Sequence, residues 1–319
     1  MLNLKGSSAS SPEVKNVRLL ILGAGPAGLS AALYSARADL EPVVLSGLQL
    51  GGQAALTNTI ENYPGFPEGV GGAELGELFQ KQAERFGARV EFDSAQSVDL
   101  SVRPFKVVTD NSEYRTETLI IATGANPNLL NIPGEVALTG RGVSYCGTCD
   151  GWFFKEKKIV VVGGGDSAVE EALFLTRFAS SVTIVHRRDT LRAGAILVKR
   201  AHDNPKIKFM WNTVVTEAIG NERVEKVTLK NIQTGEQDTI PMDGLFIFIG
   251  HTPNTQLFEK QLEMENGFIK VDERMHTSVP GVYAAGEAAD SHFKQVVTSS
   301  GMGAAAAIEA TSYLSRSEK

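Results

Sequence analysis

The sequence predicts an α/β protein built from two Rossmann-like nucleotide-binding domains of the three-layer β-β-α type, the second inserted in the first. Three observations carry this expectation. Two apolar runs end in glycine fingerprints, at 23–28 and 163–168; the elements after each fingerprint follow one order; and two proline-bearing segments, 126–131 and 251–254, bracket the second copy. The boundaries that follow are 1–126 with 255–319 for the first domain and 127–254 for the second.

In the first copy the run VRLLIL (17–22) leads into Gly23-Ala24-Gly25-Pro26-Ala27-Gly28 and then an Ala-rich, helix-favouring stretch at 29–38. Strand, glycine turn and helix in this order give the G-x-G-x-x-G pattern its meaning. Gly23 permits the tight turn, Gly25 admits a pyrophosphate, and Gly28 lets helix and strand pack closely, with the phosphates on the positive helix end. In the second copy KIVVV (158–162) runs into Gly163-Gly164-Gly165-Asp166-Ser167-Ala168, the small-residue variant of the pattern, and a helical stretch follows at 169–178. The next strands, VVL (43–45) and VTIV (182–185), come at βαβ spacing. Alternating segments around 89–92 and 105–109, then LIIATG (119–124), complete the first copy; 208–211, 224–230 and LFIFIG (245–250) answer them in the second. A late strand at 281–286 and a helix from about 300 to 314 return to the first domain. The spacing of Leu75, Leu78, Phe79 and Phe86 is that of a core-facing helix.

The chain has 319 residues, 42% hydrophobic and 21% charged, with a formal net charge of −6. That balance suits a globular domain pair and argues against nucleic-acid binding, and no apolar stretch is long enough to span a bilayer. Residues 1–16 are Ser-rich without a continuous apolar core, so they read as a disordered leader or the stub of a trimmed organelle-targeting segment rather than a secretion signal. Scarce cysteine fits a reducing compartment, and a cytoplasmic location is expected.

Only two cysteines occur, and they stand three apart as Cys146-Gly147-Thr148-Cys149, followed by Asp150-Gly151. One pair cannot build a disulfide framework. A zinc site would need two more ligands, and none of the five histidines has the usual zinc spacing. The spacing suits a small loop that opens and closes as a two-electron device.

The end of the second strand distinguishes the cofactors. In the second copy it reads His186-Arg187-Arg188, with Arg192 beyond and no acid at the strand end. Guanidinium groups match a 2′-phosphate, so the residues favour NADPH over NADH. The first copy has Ser46-Gly47 there, then Gly51-Gly52-Gln53 and a polar run to Asn62. Those extra loops suggest a larger cofactor, and a relay from hydride to dithiol needs a flavin between them.

With these residues in place the chain resembles the low-molecular-weight thioredoxin reductases. The resemblance runs from about 17 to 314 through GAGPAG, GGQ, IENYPGFP, ATGA, CGTCDG, GGGDSAVEEA, HRRDTLRA and GHTPN. It implies FAD in the first domain, near the 23–28 turn, Ser46, Gly47, Gly52, Gln53, Asn62, Ala122, Thr123, Gly124, Gly286, Glu287, Lys294, Gln295 and Val296. It implies NADPH in the inserted domain on Gly163, Gly165, Asp166, Ser167, Ala168, His186, Arg187, Arg188 and Arg192. Cys149 would face the flavin, Cys146 would attack the disulfide of thioredoxin, and Asp150 would exchange protons with the thiols. The aromatic run Trp152, Phe153 and Phe154 is expected to pack and shield the reduced flavin. A homodimer and a rotation of one domain about the paired connectors are further implications. Two positions depart from the pattern: Glu287 where aspartate is usual and Lys294 where arginine is common. Other readings are a dithiol oxidase, against which the arginines stand, and another flavoprotein of this scaffold acting on a different disulfide. Two more are the flavoprotein component of a peroxide-reducing system, which usually carries an additional N-terminal thiol domain absent here, and a sensor without turnover, against which the CxxCD motif stands.

Overall fold

The computed structural model describes residues 13–47 and 49–317; of the leader expected over 1–16, residues 1–12 lie outside them. Residues 13–16, read from sequence as leader, are instead the start of the first strand, β1 (Glu13–Leu22). They pair in parallel with 112–115, and Lys15 reaches across to Glu91 at 2.8 Å and to the Tyr114 hydroxyl at 3.3 Å. That polar triangle gives the charged stretch Glu13-Val14-Lys15-Asn16 a reason to be strand, which hydrophobic patterning alone does not register.

The chain divides into two compact units, 1–59, 63–125 and 253–319 in the first, and 60–62 with 126–252 in the second. In the first unit β1 is followed by α1 (Pro26–Arg37), β2 (Val43–Leu45), α2 (Gly72–Glu84), β3 (Arg89–Glu91), β4 (Ala95–Asp99), β5 (Phe105–Thr109) and β6 (Ser112–Ile121). The sheet order is β3-β2-β1-β6-β5-β4, parallel on one side of β6 and an antiparallel meander on the other. Pro26 opens α1, where its missing N–H is one the helix leaves unused anyway. Apart from Leu29, the buried residues of α1 are small: Ala27, Gly28, Ala31, Ala32, Ser35 and Ala36.

A short ladder, β7 (Ala125–Pro127), leaves this unit. The second unit then runs β8 (Val143–Ser144), α3 (Gly147–Asp150), β9 (Lys158–Val162), α4 (Asp166–Leu175), β10 (Ser181–Val185), α5 (Ala195–Asp203) and β11 (Ile207–Met210). It continues through β12 (Thr213–Ile219), β13 (Lys226–Asn231) and β14 (Gln237–Pro241) to β15 (Gly244–Ile247). Its main sheet is parallel throughout, in the order β11-β10-β9-β15-β8. Here the meander β12-β13-β14 is a sheet of its own, whereas in the first unit the meander joins the main sheet. The reason is local. β6 runs unbroken for ten residues, but its counterpart is interrupted by Pro241 and by Asp243, whose side chain turns to accept the Lys158 N–H at 2.8 Å.

The chain returns through β16 (His251–Pro253), which pairs with β7. It then forms β17 (Met264–Glu265), β18 (Phe268–Ile269), β19 (Val282–Ala284), paired with the end of β6, and α6 (Val296–Ser317). Helix α6 starts earlier and ends later than its apolar pattern predicts, and it lies along α1 in a core of alanines that includes Ala306, Ala307 and Ala310. Small residues are needed because the backbones approach closely: a Cβ on Gly303 would stand 2.7 Å from the carbonyl carbon of Ala27. Gly303→Ala is therefore expected to lower stability by about 1–3 kcal/mol through overpacking, read from the urea midpoint at unchanged slope.

Candidate functional site

In the first unit the predicted residues gather at the carboxyl ends of adjacent parallel strands. Leu22, Leu45, Ile121 and Ala284 are the last residues of β1, β2, β6 and β19, and they stand in register across the sheet. The loops that leave them carry Gly23, Ser46 with Gly47, Ala122 to Gly124, and Gly286 with Glu287. This is the edge at which open α/β sheets hold their ligands. Gly23 has φ 107°, and a Cβ there would press into Ala122, 2.8 Å from its carbonyl carbon. Gly51 donates to the Ala24 carbonyl at 2.8 Å, which draws the loop of Gly52 and Gln53 onto the turn. Gly25 then faces Gly52, whose Cα would be 3.9 Å from an added Cβ. Thr123 bonds the Asn254 carbonyl at 2.7 Å and so ties its loop to the returning chain. Asn62 falls in the stretch 60–62 that groups with the second unit.

Helix α1 has no side-chain cap and no acidic residue in its first turn, so its leading N–H groups point at the open turn. That arrangement, with bare glycines on both sides, fits the pyrophosphate of a dinucleotide. Gly286 approaches the same helix, since a Cβ on it would be 2.9 Å from that of Ala27. Asp290 accepts from the N–H groups of His292, Phe293 and Lys294, with bonds of 2.8–3.0 Å. This wraps the loop that presents Lys294, Gln295 and Val296, and Lys294 itself takes φ 52°.

In the second unit the turn 163–168 leaves the end of β9 and the stretch from His186 leaves the end of β10, at the same edge of their sheet. Helix α4 also lacks a side-chain cap, and a Cβ on Gly165 would meet nothing within 4 Å, so the approach to the helix end is open. Asp166, expected on the cofactor, accepts the Gly194 N–H at 2.8 Å. With the Arg192 N–H on the Gly164 carbonyl at 2.6 Å, it clamps the arginine loop to the glycine turn. Arg187, Arg188 and Arg192 are exposed, and none of them makes an ion pair among the described residues. His186 is buried, and its Nε2 has no hydrogen-bond partner among those residues. Burial, then the charge of Arg192, lowers its pKa and keeps the ring neutral. Three free guanidinium groups and a buried nitrogen without a partner fit a phosphorylated nucleotide.

The dithiol leaves the same sheet edge. β8 lies parallel to β15 in the main sheet, and the loop after Ser144 carries Cys146 and Cys149, joined by a disulfide with Cα atoms 5.3 Å apart. Ser144, buried, donates to the Cys146 carbonyl and accepts from the Cys146 N–H, both at 3.1 Å. The Cys149 N–H points at the Cys146 sulfur at 3.1 Å. Asp150 follows on α3; burial raises its pKa, and Ser144 opposes the shift. Tyr145 bonds Glu135 at 3.0 Å, and Glu135 accepts the N–H groups of Leu130 and Ile132. Ser144, Glu135 and Tyr145 escape a reading by motif, although the serine's position two residues ahead of the first cysteine is a usable signal for a loop anchor. Of the three aromatic residues expected to pack, Phe154 does so against Phe246 at 5.0 Å, and Trp152 meets Phe178 edge-on at 5.9 Å. Trp152 and Phe153 are 58% and 41% exposed.

Glu287 is mostly buried at the mouth of the first site. Burial raises its pKa to about 7, with Lys294 opposing and Asp290 adding to the shift. A carboxyl whose folded pKa lies above its ordinary value of 4.5 contributes stability below that value and loses it as pH rises through about 7. Glu287→Gln is therefore expected to remove about 1 kcal/mol of the stability lost between about pH 6 and pH 8, in urea titrations after flavin removal.

Comparison with known proteins agrees with this geometry. Residues 17–303 match the model of the pyridine nucleotide-disulphide oxidoreductase family. A thioredoxin reductase of Streptomyces coelicolor is 47% identical over 307 residues, covering 95% of this chain and 94% of that protein. One from Vibrio cholerae is 47% identical over 310 residues, covering 94% and 98%. The crystal structure of thioredoxin reductase from Streptococcus pyogenes superposes with a TM-score of 0.91 at 41% identity, covering 94% of this chain and 99% of that one. The fold, the two glycine turns and the Cys146–Cys149 pair agree on one assignment: the chain belongs to the thioredoxin reductases of the pyridine nucleotide-disulphide oxidoreductase family.

Proposed function

We propose that this chain reduces the disulfide of thioredoxin with electrons from NADPH, through FAD and the Cys146–Cys149 dithiol. The observation that carries the reading is the disulfide itself, standing at the same sheet edge as an open glycine turn and three exposed arginines. FAD belongs to the first unit, on the loops of Gly23, Ser46, Gly52, Ala122 and Glu287; NADPH belongs to the second, on the 163–168 turn, His186 and the arginines. When bound, FAD supplies the two-electron step between nicotinamide hydride and disulfide.

The chain's own residues do the rest. In the reduced protein, Cys146 thiolate attacks one sulfur of the partner's disulfide and expels the other as a thiolate, which takes up a proton. Cys149 then attacks the Cys146 sulfur, closes the 146–149 disulfide and releases the partner's second thiolate. The partner gains two electrons and two protons. Asp150 is suited to exchange those protons, because burial keeps its carboxyl closer to neutral than an exposed aspartate. Trp152 and Phe153, exposed beside the dithiol, suit the docking of a protein, since buried aromatic anchors dominate such interfaces. The paired segments β7 and β16 serve as the hinge for the rotation the two half-reactions require. The working protein is a homodimer in the cytoplasm, where a dithiol can be kept cycling. Among the described residues no helix is long and apolar enough to cross a membrane.

The test is anaerobic titration with NADPH followed by oxidised thioredoxin. Cys146→Ser is expected to retain flavin bleaching by NADPH and lose thioredoxin reduction by at least about a hundredfold, because its loss removes covalent catalysis. Bleaching by small dithiols but not by NADPH contradicts the reading and favours an oxidase. Replacing Arg187 and Arg188 together by alanine should raise KM for NADPH by about tenfold or more at little change in kcat, and leave KM for NADH unmoved.

A further inference from the structure

One half-buried acid close to the dithiol has no part in that chemistry. Glu171 lies on the face of α4 that packs against α3, and its Oε2 is sealed from solvent. A Cβ on Gly147 would fall inside the contact radius of that oxygen and 3.2 Å from Cδ of the same carboxyl group. The carboxylate therefore stands where a side chain at 147 would be, over the residue between Cys146 and Thr148. The approach is open only because position 147 is glycine. Leu175, one turn further along α4, completes the contact at 3.5 Å.

We propose that Glu171 is a positioning residue of the redox loop: its carboxylate, admitted by the missing side chain at Gly147, holds the Cys146 thiol in its protonated form and makes the dithiol a stronger reductant. The physical basis is charge. Opening the disulfide yields two thiols, and loss of the Cys146 proton places a second anion beside a buried one, which the low local dielectric penalises. A dithiol whose reduced form is not stabilised as thiolate gives up its electrons more readily. The other titratable groups of this loop are Asp150 on α3 and Tyr145 with its partner Glu135. Neither accounts for a glycine at 147. Asp150 follows Cys149, whereas the Glu171 carboxyl stands over Gly147 beside Cys146; a carboxyl ionises ahead of a thiol, so it is Glu171 that opposes the Cys146 thiolate.

The inference takes from the proposed function only that Cys146 is the attacking thiol. Its test needs neither NADPH nor thioredoxin, so failure of turnover and failure of this idea are separable. Holoenzyme is reduced with dithiothreitol and desalted anaerobically. Iodoacetamide labelling of Cys146 is then followed from about pH 6 to pH 10 by peptide mass. Glu171→Gln should lower the midpoint of the labelling profile by about one pH unit. The rate at pH 7 should rise about threefold, since the larger thiolate fraction is partly offset by weaker nucleophilicity. Gly147→Ala should displace the carboxylate and lower the midpoint in the same direction, and adding it to Glu171→Gln should bring no further change. A Glu171→Gln profile that overlays the unmodified protein, or a Gly147→Ala effect that persists in the double variant, overturns the proposal. If Glu171→Gln does not fold, Gly147→Ala alone decides: an unchanged midpoint overturns it, and a lowered one supports it.

Discussion

The pairing of β8 with β15, Val143 to Leu245 and Ser144 to Phe246, decides where the dithiol stands. Two residues of parallel ladder attach the CxxC loop to the carboxyl end of the sheet whose other strands carry the glycine turn and the arginines. Without it the cysteines would sit on an untethered loop with no fixed relation to the nucleotide side of their own unit. Ser144 extends the constraint by one step, since its hydroxyl serves both the N–H and the carbonyl of Cys146. Tyr145 adds another through buried Glu135, which also holds the backbone of Leu130 and Ile132 just after the first connector.

Carboxyl groups recur at the working edges, and burial is their common property. Asp150 follows the dithiol, Glu171 overlies Gly147, and Glu287 lies at the mouth of the first site. A carboxyl taken out of water resists ionisation unless a donor or cation compensates. Asp150 has Ser144 and Glu287 has Lys294, and in both cases burial remains the larger influence. Both groups thereby hold their protons to higher pH than an exposed aspartate or glutamate.

Much of this was legible in the residues. The two glycine turns, the strands that feed them, the arginine stretch and the CxxC loop all depend on local chemistry: backbone conformations only glycine adopts readily, runs of β-branched residues, and thiols close enough to bond. What escaped was set by distant partners. The strand character of 13–16 rests on pairing with 112–115 and on Lys15 meeting Glu91 and Tyr114, contacts no local pattern encodes. The separate meander of the second unit hangs on Pro241 and Asp243 interrupting a strand that its counterpart continues. Glu171 carries no signal in the sequence, because its relation to Gly147 exists only once α3 packs on α4. The bond from the Gly194 N–H to Asp166, which braces the arginine loop, likewise joins residues 28 positions apart and leaves no local pattern.

The relay from nicotinamide to partner is tested most directly by trapping its covalent midpoint. A thioredoxin with its resolving cysteine replaced, and its remaining thiol activated as an aryl mixed disulfide, is added to reduced Cys149→Ser and Cys146→Ser proteins. The account predicts that Cys149→Ser releases one aryl thiolate and forms a one-to-one adduct mapped to Cys146, while Cys146→Ser reacts far more slowly. Absence of the adduct, or faster capture through Cys149, would contradict it.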